Sequence, residues 1–341
     1  MKHIKLLTLL FVLISAVNIF ASGGKRNGTA GAATLLIPVG ARGVAMGGST
    51  LVNSVGVESM YWNPANLARS ENSTSLFISH MTYLADINVE YGALGVNLGS
   101  FGSLGIDIKA LKVGDILITD TQNPDGTGAT YNPSVTVIGL TYARELNDRI
   151  AVGVTINYID ETIDRVSASG ISFNAGVSYI NFANIDGLSF AVTMKNQGPE
   201  MKYEGSGLRI DATADDLKRG KQSYLADAAS FELPSSLEFG VGYKYALDTQ
   251  NEVNVSGVFQ NNNFWSDEYK IGAEYGFDNM FFARVGYDFA PDVDKEAHIY
   301  GFAAGFGINY ESNGFAAKFD YAYRQTEVFD GNHVFSILLG L

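Results

Sequence analysis

Apolar side chains alternate with small or polar ones along most of the chain after about residue 74. The clearest run covers residues 150–158. One face of a pleated strand there would carry Ile150, Val152, Val154, Ile156 and Tyr158, and the other Ala151, Gly153, Thr155 and Asn157. The pattern predicts β-strands with one apolar face.

About fourteen segments show this strand pattern. They are residues 74–84, 86–98, 102–113, 134–145, 149–160, 170–181, 187–196, 235–246, 251–262, 267–277, 280–290, 297–310, 314–325 and 332–341. A soluble β-sandwich also alternates, so the strands alone do not distinguish it from a transmembrane barrel.

The connections between these segments alternate in length. Tight turns alternate with longer links, of which 114–133 and 197–234 are the longest. Transmembrane barrels have short periplasmic turns, long outer loops and an even number of antiparallel strands. With both barrel termini in the periplasm, every tight turn falls there, and only Ala85 and Asn263–Ser266 are short outer links. We therefore expect an all-β fold, a transmembrane antiparallel barrel of about 14 strands over residues 74–341.

Aromatic residues on the apolar faces cluster towards strand ends, as membrane-interface girdles do. They are Tyr158, Tyr179, Tyr243, Tyr245, Tyr275, Phe277, Tyr287, Phe289, Tyr310, Tyr321 and Tyr323. Outer-membrane lipid is thus an expected partner.

The first residues carry an export signal. Lys2 and Lys5 precede an apolar stretch that ends at the small residue Ala21, which predicts a signal peptide over residues 1–21. The chain contains no Cys, which excludes a lipoprotein anchor and disulfides. After residue 21 no apolar run reaches the roughly 18 residues of a membrane-spanning helix. The prediction is the outer membrane of a Gram-negative-type bacterium.

The net charge of the chain limits the classes of partner that it can bind. The chain has 23 Lys and Arg against 36 Asp and Glu, and removal of residues 1–21 makes the balance more negative still. An acidic chain is a poor ligand for nucleic acid, so no nucleic-acid partner is expected.

The segment 22–73, which precedes the first strand, is the candidate for a plug in the lumen. Small barrels of about eight strands are filled by their own side chains, whereas about 16 leave a channel. Two motifs stand out, and their residues are Gly40, Ala41, Arg42, Met46, Gly47, Gly48, Trp62, Asn63, Pro64 and Ala65. Asn63 can cap a short helix with Pro64 at its first position. Small residues on inward faces, among them Gly240, Gly242, Gly301, Gly305 and Gly307, would admit such a plug or let the wall bend.

With these motifs the sequence resembles the PorV/PorQ family of outer-membrane proteins, relatives of the FadL long-chain fatty-acid transporters. The resemblance covers essentially the whole chain: an export signal, G-A-R-x-x-x-M-G-G at Gly40–Gly48, W-N-P-A at Trp62–Ala65 and an aromatic-rich last strand. It implies a fourteen-stranded barrel with an amino-terminal hatch. For the best-studied members it also implies service in type IX secretion. The final residue Leu341 departs from the Phe that ends many barrels.

Residues that could carry enzymatic or metal chemistry are few. The four His lie outside any G-x-S-x-G or H-E-x-x-H pattern. His298 could act with Asp292, Asp294 or Glu296, but a solvated loop residue is the preferred interpretation. Asp120, Asn123, Asp125 and Gly126 miss the spacing of a calcium loop and are explained by a turn. We therefore expect no catalytic site, metal or cofactor.

Two functions remain. In the first, a plugged barrel binds secretion-machinery or cargo proteins through its outer loops, with Phe264 and Trp265 as candidate contact residues. The alternative is a FadL-like transporter of a hydrophobic small molecule. Inward faces built mainly of Gly, Ala, Ser, Thr and Asn favour the first. Inward charges at Lys195, Lys244, Lys270, Glu238 and Glu274 are expected to pair across the lumen or with the hatch, or else to shape a polar path.

Overall fold

The computed structural model describes residues 26, 28–85, 87–213, 220–291, 293, 298–312 and 314–341. The predicted signal peptide lies outside these residues. Within them the chain forms the following strands: β1 Thr74–Thr82, β2 Asn88–Asn97, β3 Ser103–Lys112, β4 Ile116–Leu117, β5 Thr130–Tyr131, β6 Ser134–Glu145, β7 Ile150–Ile163, β8 Val166–Tyr179, β9 Leu188–Gln197, β10 Met201–Lys202, β11 Arg209–Ala212, β12 Gln222–Leu225, β13 Ser230–Phe231, β14 Ser236–Ala246, β15 Asn251–Asn262, β16 Glu268–Phe277, β17 Phe281–Phe289, β18 Tyr300–Ser312, β19 Phe315–Thr326 and β20 Asn332–Gly340.

Fourteen of these strands close one antiparallel barrel in the order β1-β2-β3-β6-β7-β8-β9-β14-β15-β16-β17-β18-β19-β20. β1 pairs with β20 from Ser75↔Gly340 to Thr82↔His333, so the first and last strands make the closing contact. The predicted fourteen-stranded barrel is confirmed. Closure leaves no unpaired sheet edge, which a lipid environment requires.

The alternation predicts correctly which face each residue occupies. On β7, Val154, Ile156 and Tyr158 are about half exposed on the outside, whereas Ala151 and Thr155 are buried inside. Outward aromatics form a continuous row across four strands through Phe239, Phe259, Tyr269 and Phe289, with neighbouring ring centroids 5.1–6.4 Å apart. The exterior is therefore an apolar, aromatic-rich wall.

Two predicted boundaries are wrong in an informative way. β7 and β8 run on to Ile163 and from Val166, so a two-residue link replaces the expected link at 161–169. Polar residues such as Asp160, Thr162 and Ser167 hide these extensions, because a strand that projects past the apolar band loses its apolar face.

We call the end of the barrel that carries the connections 113–133 and 198–235 the loop end, and the opposite end the turn end. Neither long connection is structureless. The first holds the ladder β4-β5, and the second holds β10-β13 and β11-β12.

Residues 28–73, together with Arg26, pack inside the barrel, and we call this segment the hatch. It contains one short α-helix, Ala41–Ala45, and 3-10 turns at Ala33–Leu36, Gly56–Met60 and Pro64–Arg69. Most of its side chains are buried against inward-facing wall residues. In the described part of the chain no helix has the length and apolar character needed to cross a membrane.

Candidate functional site

The W-N-P-A motif forms a capped turn pressed against the wall. The Asn63 side-chain oxygen accepts a hydrogen bond of 3.1 Å from the Ala65 amide, and Pro64 takes the first position of the 3-10 turn. The Asn63 amide nitrogen donates to Leu51 and to Val177 on β8. The predicted cap is confirmed, and the same side chain ties the turn both to the hatch and to the barrel.

Inward glycines of the wall make room for the hatch. A Cβ on Gly153 would collide with the Pro64 backbone, and one on Gly176 would collide with Asn63. On the other side of the lumen, Gly286 faces the backbone of Met46 and Gly47 in the same way. Gly153 and Gly286 let backbone approach backbone, and Gly176 makes room for the Asn63 side chain; any side chain at these positions would prevent the contact.

Five of the predicted small positions can now be assigned separately. Gly240 faces Leu51, Gly242 faces Val52, and Gly305 faces Ala45, so these three seat the hatch as expected. Gly307 instead accommodates Asp320 and Arg284 of the wall, and Gly301 lies near Tyr287.

The G-A-R-x-x-x-M-G-G motif begins the short helix. The Gly40 amide donates to Ser79 Oγ at 3.3 Å, and the Ala41 amide donates to Ser336 Oγ at 2.8 Å. Side-chain hydroxyls of β1 and β20 thus supply acceptors that capping residues usually provide. Gly47 and Gly48 follow with left-handed φ values of 63° and 80°, which turns the chain back after Met46.

Arg42 holds the hatch to the opposite wall through a buried ion pair. Its Nε and Nη2 donate to the two carboxylate oxygens of Glu274 at 2.9 and 2.8 Å, and its Nη1 donates to the Asn53 carbonyl at 3.0 Å. Arg284 joins Glu274 to Asp320 with hydrogen bonds of 2.5 Å. Burial would lower the pKa of Arg42, but Glu274 outweighs it and the pKa is raised. Arg42 is therefore a permanent, bidentate cation.

Glu58 of the hatch adds a third acid to this region, beside Glu274 and Asp320 of the wall. Burial raises the pKa of its carboxyl, while the nearby Arg42 opposes that rise.

Tyr61 and Trp62 form an aromatic pair between lysines of the wall. Their rings pack edge to face at 5.0 Å. Lys195 Nζ lies 4.9 Å from the Tyr61 centroid and 5.5 Å from that of Trp62, and Lys109 Nζ lies 4.9 Å from Tyr61. Cation–π contacts of this kind stabilise ammonium groups away from water. Gly43 leaves room for the Trp62 ring.

The prediction that the inward charges pair across the lumen or with the hatch is confirmed for Glu274, whereas the three lysines pair with acids on the same or the next strand of the wall. Lys195 pairs with Glu238 at 3.0 Å, Lys270 with Glu268 at 2.9 Å, and Lys244 with Glu252 at 2.8 Å. Glu274 pairs with the hatch through Arg42. Lys244 differs in that its side chain is 59% exposed at the turn end.

Little space remains around the Tyr61 ring. A cavity of about 30 Å³ is lined by polar and apolar residues: Leu35, Met60, Tyr61, Tyr91, Asp107, Lys109, Val137, Thr155, Asn157, Asn174, Lys195 and Asn196. A volume of this size holds about one water molecule. A larger open groove lies at the turn end beside Glu71, Glu311 and Lys318.

The start of the hatch lies under the loop end. Arg26 pairs with Glu232 at 2.6 Å, and the Gly31 amide donates to the Glu232 carbonyl. Ala32 and Leu35 pack with Met201 and Leu233 of the long connection. The long connection is thus partly a cover for the hatch, which no local sequence pattern indicates.

This arrangement corrects one expectation. Phe264 is 1% exposed, with the Arg26 guanidinium 4.2 Å from its ring centroid, so it is not an exposed contact residue. Trp265 beside it remains partly exposed. Exposed apolar side chains at the loop end include Leu117, Ile210, Tyr224 and Leu225 of the small ladders, and Val328 and Phe329 of the link between β19 and β20.

The residues weighed for other chemistry have structural roles. Asp120 accepts hydrogen bonds from the Gln122 and Asn123 amides, and Gly126 closes a turn on Asn123, as predicted. His298 is not a solvated residue: its side chain is 11% exposed and Nε2 lies 3.5 Å from Asp288. Asp292, Asp294 and Glu296 lie outside the described residues.

Comparison with known proteins identifies the family. A family profile described as type IX secretion system protein PorV matches residues 20–263, well over half of the chain. The chain belongs to the PorV family. PorV proteins are non-enzymatic outer-membrane barrels of type IX secretion, so the secretion machinery is the expected class of partner. No curated protein matches the sequence.

Solved structures show the same fold at low identity. The PorV-family chain resembles the CymD monoaromatic hydrocarbon channel at 14% identity and a TM-score of 0.56, covering 89% of this chain and 97% of that one. It resembles the Ralstonia pickettii toluene transporter TbuX at 13% identity and 0.54, covering 89% and 98%. A Pseudomonas aeruginosa FadL homologue matches at 12% identity and 0.50, covering 89% and 98%. These likenesses show that the chain has the fold of the FadL-type barrels.

Proposed function

We propose that this PorV-family protein is a closed, plugged barrel that binds secretion partners or exported cargo at its loop end, which faces the outside of the cell. The main support for a closed barrel is that the hatch fills the lumen. Its motifs contact both sides of the wall, at Ser79 and Ser336 on one side and at Glu274 on the other.

The size of the cavity beside Tyr61 argues against a hydrophobic solute at that place. An apolar cavity of about 150 Å³ binds benzene, and drug-sized ligands occupy several hundred Å³. The cavity of about 30 Å³ beside Tyr61 is far smaller, and Asp107, Lys109 and Lys195 line it. Charged lining groups favour water over an apolar molecule.

The loop end offers a more suitable binding surface. The ladder β11-β12 is a two-stranded sheet, and Ile210, Tyr224 and Leu225 are 52%, 38% and 67% exposed on it. A two-stranded hairpin is marginally stable by itself, so contact with a partner would stabilise it. Exposed aromatic and aliphatic side chains are typical binding anchors.

Only part of the long connection can be deleted to test partner binding without disturbing the hatch. Removal of all of 197–234 would also uncover the hatch, because Met201 and Leu233 pack on Leu35. Residues 209–225 are separable, since the Ala226 amide donates to the Leu208 carbonyl at 2.8 Å and a short glycine linker can join these two residues. A matched control shortens 118–127, the tip of the β4-β5 ladder.

Both variants are purified from detergent-solubilised outer membranes, and co-purifying polypeptides are compared with those of the unaltered protein. We expect the 209–225 deletion to lose partners that the control retains, while planar-bilayer conductance stays at the unaltered level. Retention of every partner, or an unaltered protein that conducts freely, contradicts the proposal.

A further inference from the structure

The outside of β1 has an unusually short apolar band. Its outward positions are Thr74, Leu76, Ile78, His80 and Thr82, of which only two are apolar. From Thr74 to His80 the strand advances about 20 Å, and less along the tilted barrel axis, whereas the apolar band of such barrels is about 25 Å tall. The apolar band on β1 is therefore shorter than the layer of lipid chains that would surround it.

The opposite wall shows the normal pattern. β14 lies seven strands from β1 in either direction around the barrel. All of its outward positions are apolar or aromatic: Leu237, Phe239, Val241, Tyr243 and Tyr245. The short band is therefore a local property of β1 and does not extend to β20, whose outward positions include Phe335, Ile337 and Leu339.

Polar groups stand where the apolar band stops. His80 and Glu90 oppose each other on β1 and β2, and His80 Nδ1 lies 2.8 Å from Glu90 Oε1. Their side chains are 44% and 42% exposed on the outward face. On β20, His333 shares a hydrogen bond of 2.9 Å with the Tyr321 hydroxyl.

Below these groups the same wall is apolar. Leu76, Ile78 and Ile337 are 39%, 53% and 48% exposed, and Phe335 adds an aromatic ring beside His80. We call the outward side of β20, β1 and β2 the closing wall.

We propose that the closing wall is the contact surface for a second copy of this chain, in a two-fold dimer within the membrane. A two-fold interface places the same surface on both copies, so residue i of one meets residue j of the other and the reverse. His80 and Glu90 are adjacent and complementary in charge. His80 of one copy can therefore meet Glu90 of the second copy, and the reverse. The apolar residues below them pack against their own copies, which removes the mismatch with lipid. This inference does not depend on cargo binding.

Single cysteines test the contact directly, because the chain has none of its own. Ile78→Cys places a thiol in the middle of β1, and Val241→Cys is the matched control at mid-strand on β14. Two copies with tags of different size are produced together, and isolated outer membranes are oxidised. Heat-modifiable gel mobility verifies that each variant is folded.

We expect a mixed disulfide dimer for Ile78→Cys and none for Val241→Cys. Adding Glu90→Lys should reduce the dimer to the control level, and the charge exchange His80→Glu with Glu90→Lys should restore it. Absence of a dimer, or equal dimers at both positions, overturns the proposal. So does an adduct of another mass, which would indicate a different protein. Quenching by brominated lipid of a fluorophore attached to the thiol of the Ile78→Cys variant would indicate lipid contact and would overturn it as well.

Discussion

The inner surfaces on two opposite sides of the barrel differ in polarity. On β1, β2 and β20 the hatch packs against apolar groups, with Val39, Val57 and Met60 meeting Phe77, Tyr91 and Leu338. On β14 to β17 it meets mainly charged and polar groups, among them Glu238, Ser256, Lys270, Glu274 and Arg284. The outer surfaces differ less: both are largely apolar, but the first side carries the exposed pair His80 and Glu90 and the second an aromatic row.

The difference indicates that the two sides hold the hatch by different forces. Apolar contact on the closing side depends on shape and burial. Buried polar atoms without a partner among the described residues occur on both sides: Asn53 Nδ2 and Asn254 Oδ1 on the polar side, and the Tyr91 hydroxyl on the apolar side. Buried polar groups without partners cost free energy unless water reaches them. Because the polar side depends mainly on such groups, whereas the closing side depends on apolar burial, we expect the hatch to separate from the polar side first.

The largest expected effect comes from the apolar side. Phe77→Ala removes a ring that is 1% exposed and packs on Tyr91 and beside Gly40, and such truncations cost roughly 3–5 kcal/mol. We expect faster hydrogen exchange across residues 39–60 and a measurable conductance. Phe319→Ala on the outward face is the control, and equal exchange in the two variants would show that the apolar side does not anchor the hatch.

A smaller effect is expected at the polar side. Arg42→Gln removes the bidentate contact to Glu274 but leaves Arg284 as its partner, so about 1.5–3 kcal/mol is lost. Hydrogen exchange of the hatch should then become less sensitive to salt. The Arg42→Lys variant should fall between the unaltered protein and Arg42→Gln. A variant Arg42→Gln more damaging than Phe77→Ala would reverse the comparison.

Loss of the Asn63 cap should be local. Asn63→Ala removes the acceptor for the Ala65 amide, a change that costs about 1 kcal/mol in typical helices, and also the donor to Leu51 and Val177. Exchange should rise over residues 64–69 and stay constant over 39–48. Asn66→Ala, which loses only a contact to Leu51, is the control. Matching exchange over 64–69 in the two variants would rule out a capping role.

The smallest effect concerns pH. Because burial raises the pKa of Glu58 above its ordinary 4.5, the protonated carboxyl is favoured when the hatch is seated. The stability that this group contributes is present below pH 4.5 and is lost as the pH rises through the raised pKa. Exchange of the hatch in the unaltered protein should increase over that range, and Glu58→Gln should flatten the dependence. Identical profiles would assign the pH response elsewhere.

The sequence predicts the features that local physics determines. Alternation gave the strand count and the faces on β7, and the Asn63-Pro64 pair gave the cap, because each depends on neighbours along the chain. It did not predict that Phe264 lies under Arg26 or that Met201 covers Leu35. Those contacts join residues far apart in sequence, and an aromatic in a loop has the same local pattern whether buried or exposed.

The close approach at the inward glycines also bears on the order of assembly. Gly153 and Gly286 meet the hatch backbone, and Gly176 meets the Asn63 side chain, with no room for a side chain of their own. A hatch threaded into a finished cylinder would have to pass such constrictions, and bulky groups such as Trp62 make that route slow. We therefore expect the hatch to be in place first and the sheet to close around it. The last step of folding is then the meeting of β1 and β20, the two strands whose hydroxyls at Ser79 and Ser336 hold the start of its helix.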